Sequence, residues 1–230
     1  MIEKNEKNGA GGIEALYPFL YAKQGSVDSV LAAVRKSTAA KAREIVALRE
    51  MTIDLLGDQL VDCATAMARA FASGARLLCF GNGGSATDAQ AIAHSFLLPS
   101  RGRAIAAISL ASDVAVLTAL GNDIGFDAVF ARQLAALGRL GDVAMGISTS
   151  GNSVNLLRAF EEANRRGLLT IGLAGDKGGA MAEAGTIDFL FVVPSSSVHR
   201  IQEVQTTIYH LLWELTQDLL DAPGERALIS

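Results

Sequence analysis

Apolar residues change their spacing along the chain, and the changes mark out its elements. Val27, Val30, Val34, Ile45, Leu48, Leu55, Leu60, Ala64, Met67 and Phe71 recur at helical spacings. They predict one long helix, or two helices broken near Gly57, filling the span to Ser73. After Gly74 short apolar runs alternate with helical stretches. Strands are predicted over residues 76–80, 104–110, 143–147, 168–173 and 189–193, with helices over 86–98, 114–120, 153–165 and 180–184 between them. A last long helix, about 199–220, carries Ile201, Val204, Ile208, Leu211 and Leu215 at alternating steps of three and four, with Leu212 and Leu219 widening the stripe. That stripe reads either as core packing or as a seam between subunits. Each helical crossover returns the next strand in the same direction, so the expected fold is α/β, a doubly wound parallel sheet of five strands with long flanking N- and C-terminal helices. Residues 1–25 mix charge and glycine around one apolar patch at 16–21 and are expected to form an arm. Residues 26–221 are expected to make a single domain that includes the N-terminal helices, and 222–230 a tail.

Composition narrows the function. Half of the 230 residues are hydrophobic and 19% are charged, and the mean hydropathy is +0.31. Such a chain is not disordered, and it implies much apolar surface hidden by layering or by oligomerisation. Twenty basic against twenty-four acidic residues give a net charge of −4 and a pI near 5.4, which argues against direct nucleic-acid binding. The two cysteines, Cys63 in a helical pattern and Cys79 in a strand pattern, offer neither a disulfide framework nor a metal knuckle. No apolar run reaches the ~18 residues of a membrane span. A soluble cytoplasmic protein is expected.

Two loops carry the candidate chemistry. In a doubly wound sheet the loops leaving the strand ends face the ligand, and the helix after each offers free N–H groups to an anion. The loop Gly81-Asn82-Gly83-Gly84-Ser85 follows the first strand, and Ser148-Thr149-Ser150-Gly151-Asn152-Ser153 follows the third. Gly81, Gly83 and Ala86 loosely match a dinucleotide fingerprint, but no acidic residue ends the next strand; the nearest carboxylate, Asp113, lies beyond it. Gly175-Asp176-Lys177-Gly178-Gly179 has the wrong spacing for a nucleotide P-loop. No nucleotide cofactor is expected. Three successive hydroxyls with backbone N–H groups at a helix start suit a phosphate monoester without any cation.

GNGGS at 81–85, GND at 121–123, GDVAMGISTSGNS at 141–153 and RIQE at 200–203 resemble the sugar isomerase (SIS) domain, specifically the phosphoheptose isomerase group and its replication-initiator-associating relatives. The similarity covers roughly residues 27–220. It implies a five-stranded flavodoxin-like sandwich, a homotetramer, and sedoheptulose 7-phosphate or a related sugar phosphate as partner. It assigns Asn82, Gly83, Gly84, Ser85, Asn122, Asp123, Ser148, Thr149, Ser150, Ser153 and Gln202 to substrate binding.

The family's metal and acid-base positions match in part. The isomerases place a His and, four residues later, a Glu on the helix after GNGGS to bind zinc and move the proton; Ala91 and Ser95 stand there. Gln202 and His210 match the other two zinc positions, so a zinc site at Gln202 and His210 is allowed but incomplete. Isomerisation needs a base beside the carbonyl and an acid or metal for the enediolate. Ser95 is no base. His199, Glu203, Thr206 and His210 follow at near 3.5-residue steps along the last helix, so His210 or Glu203 is a candidate base, with His94 or His199 to polarise the oxygen. His94 and His199 equally suit plain polar positions at a pocket rim. Two functions stand: a phosphoheptose-isomerase-like enzyme, or a sugar-phosphate-binding regulatory or assembly protein without chemistry. The second draws on Ala89 to Ser95, whose layout is similar to that of the initiator-associating relatives.

Overall fold

The structure, a computed structural model, describes residues 27–222; the expected arm over 1–25 and all of the expected tail but Ala222 lie outside the described residues. Two compact units divide the chain, residues 1–44 and 45–230. Of the first, residues 27–44 are described and are helical throughout. They belong to α1 (Val27–Ala72), 46 residues with no break at Gly57. Its early apolar positions Val27, Val30, Leu31 and Val34 are exposed, and burial starts only at Leu48.

Five parallel strands build the second unit: β1 (Leu77–Gly81), β2 (Ala107–Ser109), β3 (Val143–Ile147), β4 (Leu169–Gly175) and β5 (Phe189–Val193), in spatial order β2-β1-β3-β4-β5. Between and after them come α2 (Gly84–Leu97), α3 (Val114–Asp123), α4 (Val129–Leu137), α5 (Val154–Arg165) and α6 (Val198–Asp221). Side chains alternate along each strand. Leu77, Cys79, Met145 and Leu173 turn to one face, where Met67 and Phe71 of α1, Ile92 and Phe96 of α2 and Ile201, Val204, Ile208 and Leu212 of α6 pack on them. Leu78, Phe80 and Ala144 turn to the other, against Phe130 and Leu134 of α4 and Leu156 and Phe160 of α5. The Phe80 ring lies 5.6 Å from that of Phe130 and 5.2 Å from that of Phe160. With strands covered on both faces, their sequences are continuous apolar runs rather than alternating ones. No helix among the described residues is long and apolar enough to cross a membrane.

The expected fold class is the observed one, with four local differences, the first being that the helix expected over 180–184 is a short 3-10 turn, Gly179–Ala182. The strand expected over 104–110 shortens to three residues, because β2 is an edge paired on one side only and leaves Ile108 exposed. Helix α4 was not flagged by the pattern: nine residues hold few repeats of a helical period, and only Val129, Phe130 and Leu134 are buried. On α6 the stripe is core at Ile201, Val204, Ile208 and Leu212, whereas Leu211 and Leu215 are half-buried and Gln205, Thr216 and Gln217 are buried instead. A 3.6-residue turn drifts off a 3.5-residue stripe within three turns.

At the N-terminal ends of β1 and β3, Asp142 is 3% exposed. Its carboxylate accepts from the Arg76 backbone N–H (2.8 Å), the Arg76 guanidinium Nη2 (2.5 Å) and the Arg139 N–H (3.0 Å). Burial alone pushes the Asp142 carboxyl up, but these donors outweigh it and hold the group below the usual carboxylate range. Asp142→Ala is expected to lower unfolding stability by about 3 kcal/mol, the cost of breaking a buried pair. Denaturant titration checks this. Because the folded value is depressed, the difference is present above the ordinary value of about 3.9 and disappears as pH falls through the lowered one.

Candidate functional site

Strands β1 and β3 are neighbours, yet α2 after β1 lies on one face of the sheet and α5 after β3 on the other. Their loops therefore part and leave a crevice at the C-terminal ends of the strands. Residues 148–153 line it. Ser148 is buried; its Oγ accepts from Gly151 N–H at 3.0 Å, and its carbonyl accepts from Gln205 Nε2 of α6 at 3.1 Å. Ser150 Oγ accepts from Asn152 N–H at 3.2 Å. The loop after β4 closes the other side: Asn152 Oδ1 accepts from Ala180 N–H and the Gly151 carbonyl from Met181 N–H, both at 2.9 Å. Gly151 has φ +67°, and a Cβ there would collide with the Gly178 carbonyl oxygen. Only glycine fits.

The helix starts around this crevice lack side-chain caps, while the N–H groups of Ser85 and Ala86 in α2 and of Leu156 in α5 bond back to the carbonyls of Asn82, Gly83 and Ser153. Ser153 is the N-cap of α5, but its side chain makes no cap hydrogen bond; α2 begins at Gly83 with no side-chain cap. By contrast α3 is capped, Asp113 accepting from Val116 N–H at 3.0 Å. A helix terminus has unpaired N–H groups, and uncapped ones are available to an anion.

Other expected binding residues fall in distinct places. Asn82 and Asn155 exchange two amide hydrogen bonds of 2.9 Å each and so tie the β1 loop to α5. Ser85 is buried in the first turn of α2, and Gly83 and Gly84 are exposed. The Gln202 amide lies against Gly84, in the space a Cβ would take. Asn122 and Asp123 end α3, exposed, with Asn122 Nδ2 donating to Asp123 Oδ1 at 2.8 Å. Among the described residues no hydrogen bond joins them to the 148–153 loop.

From Gly84 and Gln202 onward α2 and α6 run in the same direction. Burial pushes the Tyr209 phenol on α6 up, a hydrogen bond with Thr206 opposes the rise, and the nearby charge of Asp88 on α2 adds to it. A cleft of about 320 Å³ follows, lined by His94, Ser95 and Leu98 on one side and His210, Trp213 and Glu214 on the other. Ser95 Oγ donates to the Ala91 carbonyl at 2.9 Å. Trp213 Nε1 is buried without an acceptor. The structure thus brings His94 and His210 together, but not Glu203 or His199. Glu203 is paired with Arg200, Nη1 to Oε2 2.5 Å, and seven residues of helix set it about 10 Å along the axis from His210. A larger groove of about 600 Å³, at the opposite end of the strands beside Arg69, Arg76 and Arg139, lies where α1 and α4 end rather than begin.

Four residues escaped the sequence reading. Gln205 and Asn155 hold the crevice, and a polar side chain on the apolar stripe of α6 was the available signal for Gln205. Glu214 stands four residues after His210, hence on its face of the helix. Asp88 also went unremarked: its Oδ2 is buried without a partner, and burial pushes the carboxyl up. Cys63 and Cys79 are buried free thiols, both pushed up by burial, and are inert.

This architecture and these loops are those of a SIS domain: the SIS domain profile matches residues 42–175, and the chain belongs to that family. Its likeness runs to the phosphoheptose isomerases. It is 42% identical over 180 residues to the phosphoheptose isomerase of Aquifex aeolicus, covering 77% of this chain and 93% of that one. To that of Nitratidesulfovibrio vulgaris strain Hildenborough it is 46% identical over 175 residues, 75% of this chain and 83% of the relative. The solved phosphoheptose isomerase of Neisseria gonorrhoeae superposes with a TM-score of 0.75 at 36% identity, over 80% of this chain and 99% of that structure. That of Francisella tularensis superposes at 0.71 and 33%, over 85% and 100%.

Two outcomes are expected. Gly151→Ala, facing both a positive φ and a backbone carbonyl, should displace the 148–153 loop and lower the melting temperature, whereas Gly84→Ala should only swing the flexible end of Gln202 aside and leave it within a degree or two; calorimetry separates them. Asp88→Asn should be more stable than the native chain at neutral pH. The Asp88 value is raised in the folded state, so the native carboxyl opposes folding increasingly as pH rises above about 3.9. The gap between the two proteins should close in acid, as thermal unfolding at stepped pH will read.

Proposed function

We propose that the chain binds a phosphorylated sugar and interconverts its aldose and ketose forms, with sedoheptulose 7-phosphate or a related sugar phosphate as substrate. One observation carries the reading: at the β1/β3 crevice the hydroxyl loop 148–153 leads into α5 with no side-chain cap bond from Ser153. The phosphate sits there, and Ser148, Thr149, Ser150 and Ser153 surround it. Asn82, held by Asn155, and Gln202, held against Gly84, border the sugar. The relatives' names support the same chemistry.

Isomerisation moves one proton between neighbouring carbons and one between their oxygens. His210, faced by His94 across the cleft, handles the oxygen-bound proton in this reading. A zinc ion does not fit the donors this chain supplies. Ala91 has no ligand atom, and the Ser95 hydroxyl is bonded back to its own helix. Gln202 and His210 leave two donors, while zinc takes three or four protein ligands. Among the described residues no three His, Cys, Asp or Glu side chains stand together to hold a metal. Proton transfer therefore falls to side chains. A homotetramer is part of the proposal, and the exposed apolar positions Val27, Val30, Leu31 and Val34 of α1 are the surface it would cover.

The spent hydroxyl of Ser95 favours one other reading, a sugar-phosphate-binding regulator that has given up turnover. Incubation with sedoheptulose 7-phosphate, with and without zinc, and thermal denaturation with the same ligand decide between them. For the enzyme, product accumulates without added zinc, and ligand at 100 times its Kd stabilises the fold by about 2.7 kcal/mol. Stabilisation without product supports the regulator; no response to any phosphorylated sugar sinks both. Ser153→Ala should leave the unliganded melting temperature unchanged, since no cap bond is lost. It should weaken phosphate-ester binding by about tenfold, as expected for a hydrogen bond to a charged group.

A further inference from the structure

The cleft between α2 and α6 holds a carboxylate that neither the family positions nor the sequence stripe point to. We propose that Glu214 is the base of this isomerase, working with His210 in place of the carboxylate missing at Ser95. The proposal rests on the isomerase reading above.

The reaction needs a group that can take a proton from carbon, and around this cleft the choices are few. Ser95 is a hydroxyl committed to the Ala91 carbonyl at 2.9 Å. Glu203 is held by Arg200 at 2.5 Å and lies off the cleft. Glu214 lines it, four residues beyond His210 on α6 and therefore on the same face, with His94 opposite on α2. None of the three makes a hydrogen bond or ion pair within the described residues; the charge of Arg101 acts on Glu214, and the His210 ring meets that of Tyr209 edge-on. Trp213 walls the cleft beside them, with its Nε1–H buried and without an acceptor. The Arg101 guanidinium lies over the Trp213 ring, 5.5 Å from its centroid, and is ion-paired with Asp218, which fixes that wall.

The step balances without a metal. Glu214 takes a proton from C1 of the ketose, the C–H pair becomes the C1–C2 double bond, and the carbonyl π pair moves to O2, which receives a proton from His210. His210 then takes the O1 proton, the O1–H pair forms the new carbonyl, and the double-bond pair captures at C2 the proton held by Glu214. Both side chains end as they began.

Glu214→Gln tests it, and as an exposed position it should fold normally. The expected result is a fall in kcat of at least about 100-fold, the range of general base catalysis, with KM within about twofold and the ligand-induced thermal shift retained. Exchange of solvent deuterium into recovered substrate and product should fall in parallel. Ser95→Glu added to Glu214→Gln, which returns a carboxylate to the other wall, should recover part of the rate. Unchanged kcat in Glu214→Gln overturns the assignment and leaves the isomerase reading standing, as does activity of the native chain lost to a chelator and returned only by zinc. No turnover by the native chain overturns both.

Discussion

The constraint on which the rest depends is the reversal of strand order between β1 and β3. Parallel strands joined by right-handed crossovers put their helices on one face when the chain moves one way across the sheet and on the other when it turns back. Here that turn sends α2 and α5 to opposite faces from adjacent strand ends. Two helix starts then converge on one gap. Everything assigned to phosphate binding stands in that gap, and the aliphatic layers on either side do little more than hold its walls apart at a fixed width.

Polar ties make the gap specific where apolar packing cannot. The Asn82–Asn155 pair spans it, Gln205 reaches from α6 to the Ser148 carbonyl, and Asn152 binds the loop after β4. A buried amide bonded at one atom and orphaned at another, as Gln205 is at Oε1, costs free energy that an aliphatic residue would not. Its presence inside the core points to the crevice as the part of the molecule that has to keep its shape. The cleft down the α2/α6 seam is built differently, from exposed side chains with few internal bonds.

Much of this was legible in the chain before folding. Continuous apolar runs of five to seven residues such as 143–147 read as strands buried on both faces, and the hydroxyls of 148–153 stood out as a polar loop at a strand end. What stayed hidden depends on three dimensions. Asn155 looks like any polar residue in a first helical turn until Asn82 is brought opposite. The stripe that grouped His199, Glu203 and His210 was right about direction around the helix and silent about distance along it, so Glu203 was paired with a histidine two turns away. Glu214 needed only a step of four from His210, but nothing in the sequence says that α2 lies beside that turn. The short α4 was lost because nine residues do not establish a period.

The common direction of α2 and α6 has one more effect. A helix is partly positive at its start and partly negative at its end, so α2 has a polarity from Gly84 to Leu97 as well as a position. A sugar phosphate is negative at one tip and neutral at the other. Laid along α2 it has one favourable heading and one unfavourable one, and the electrostatic field of the peptide backbone chooses between them before any side chain is touched. His94 lies in the last turn of α2, at its negative end. The scaffold would thus act as a compass for an asymmetric ligand, which relieves the loops of the need to discriminate its two ends.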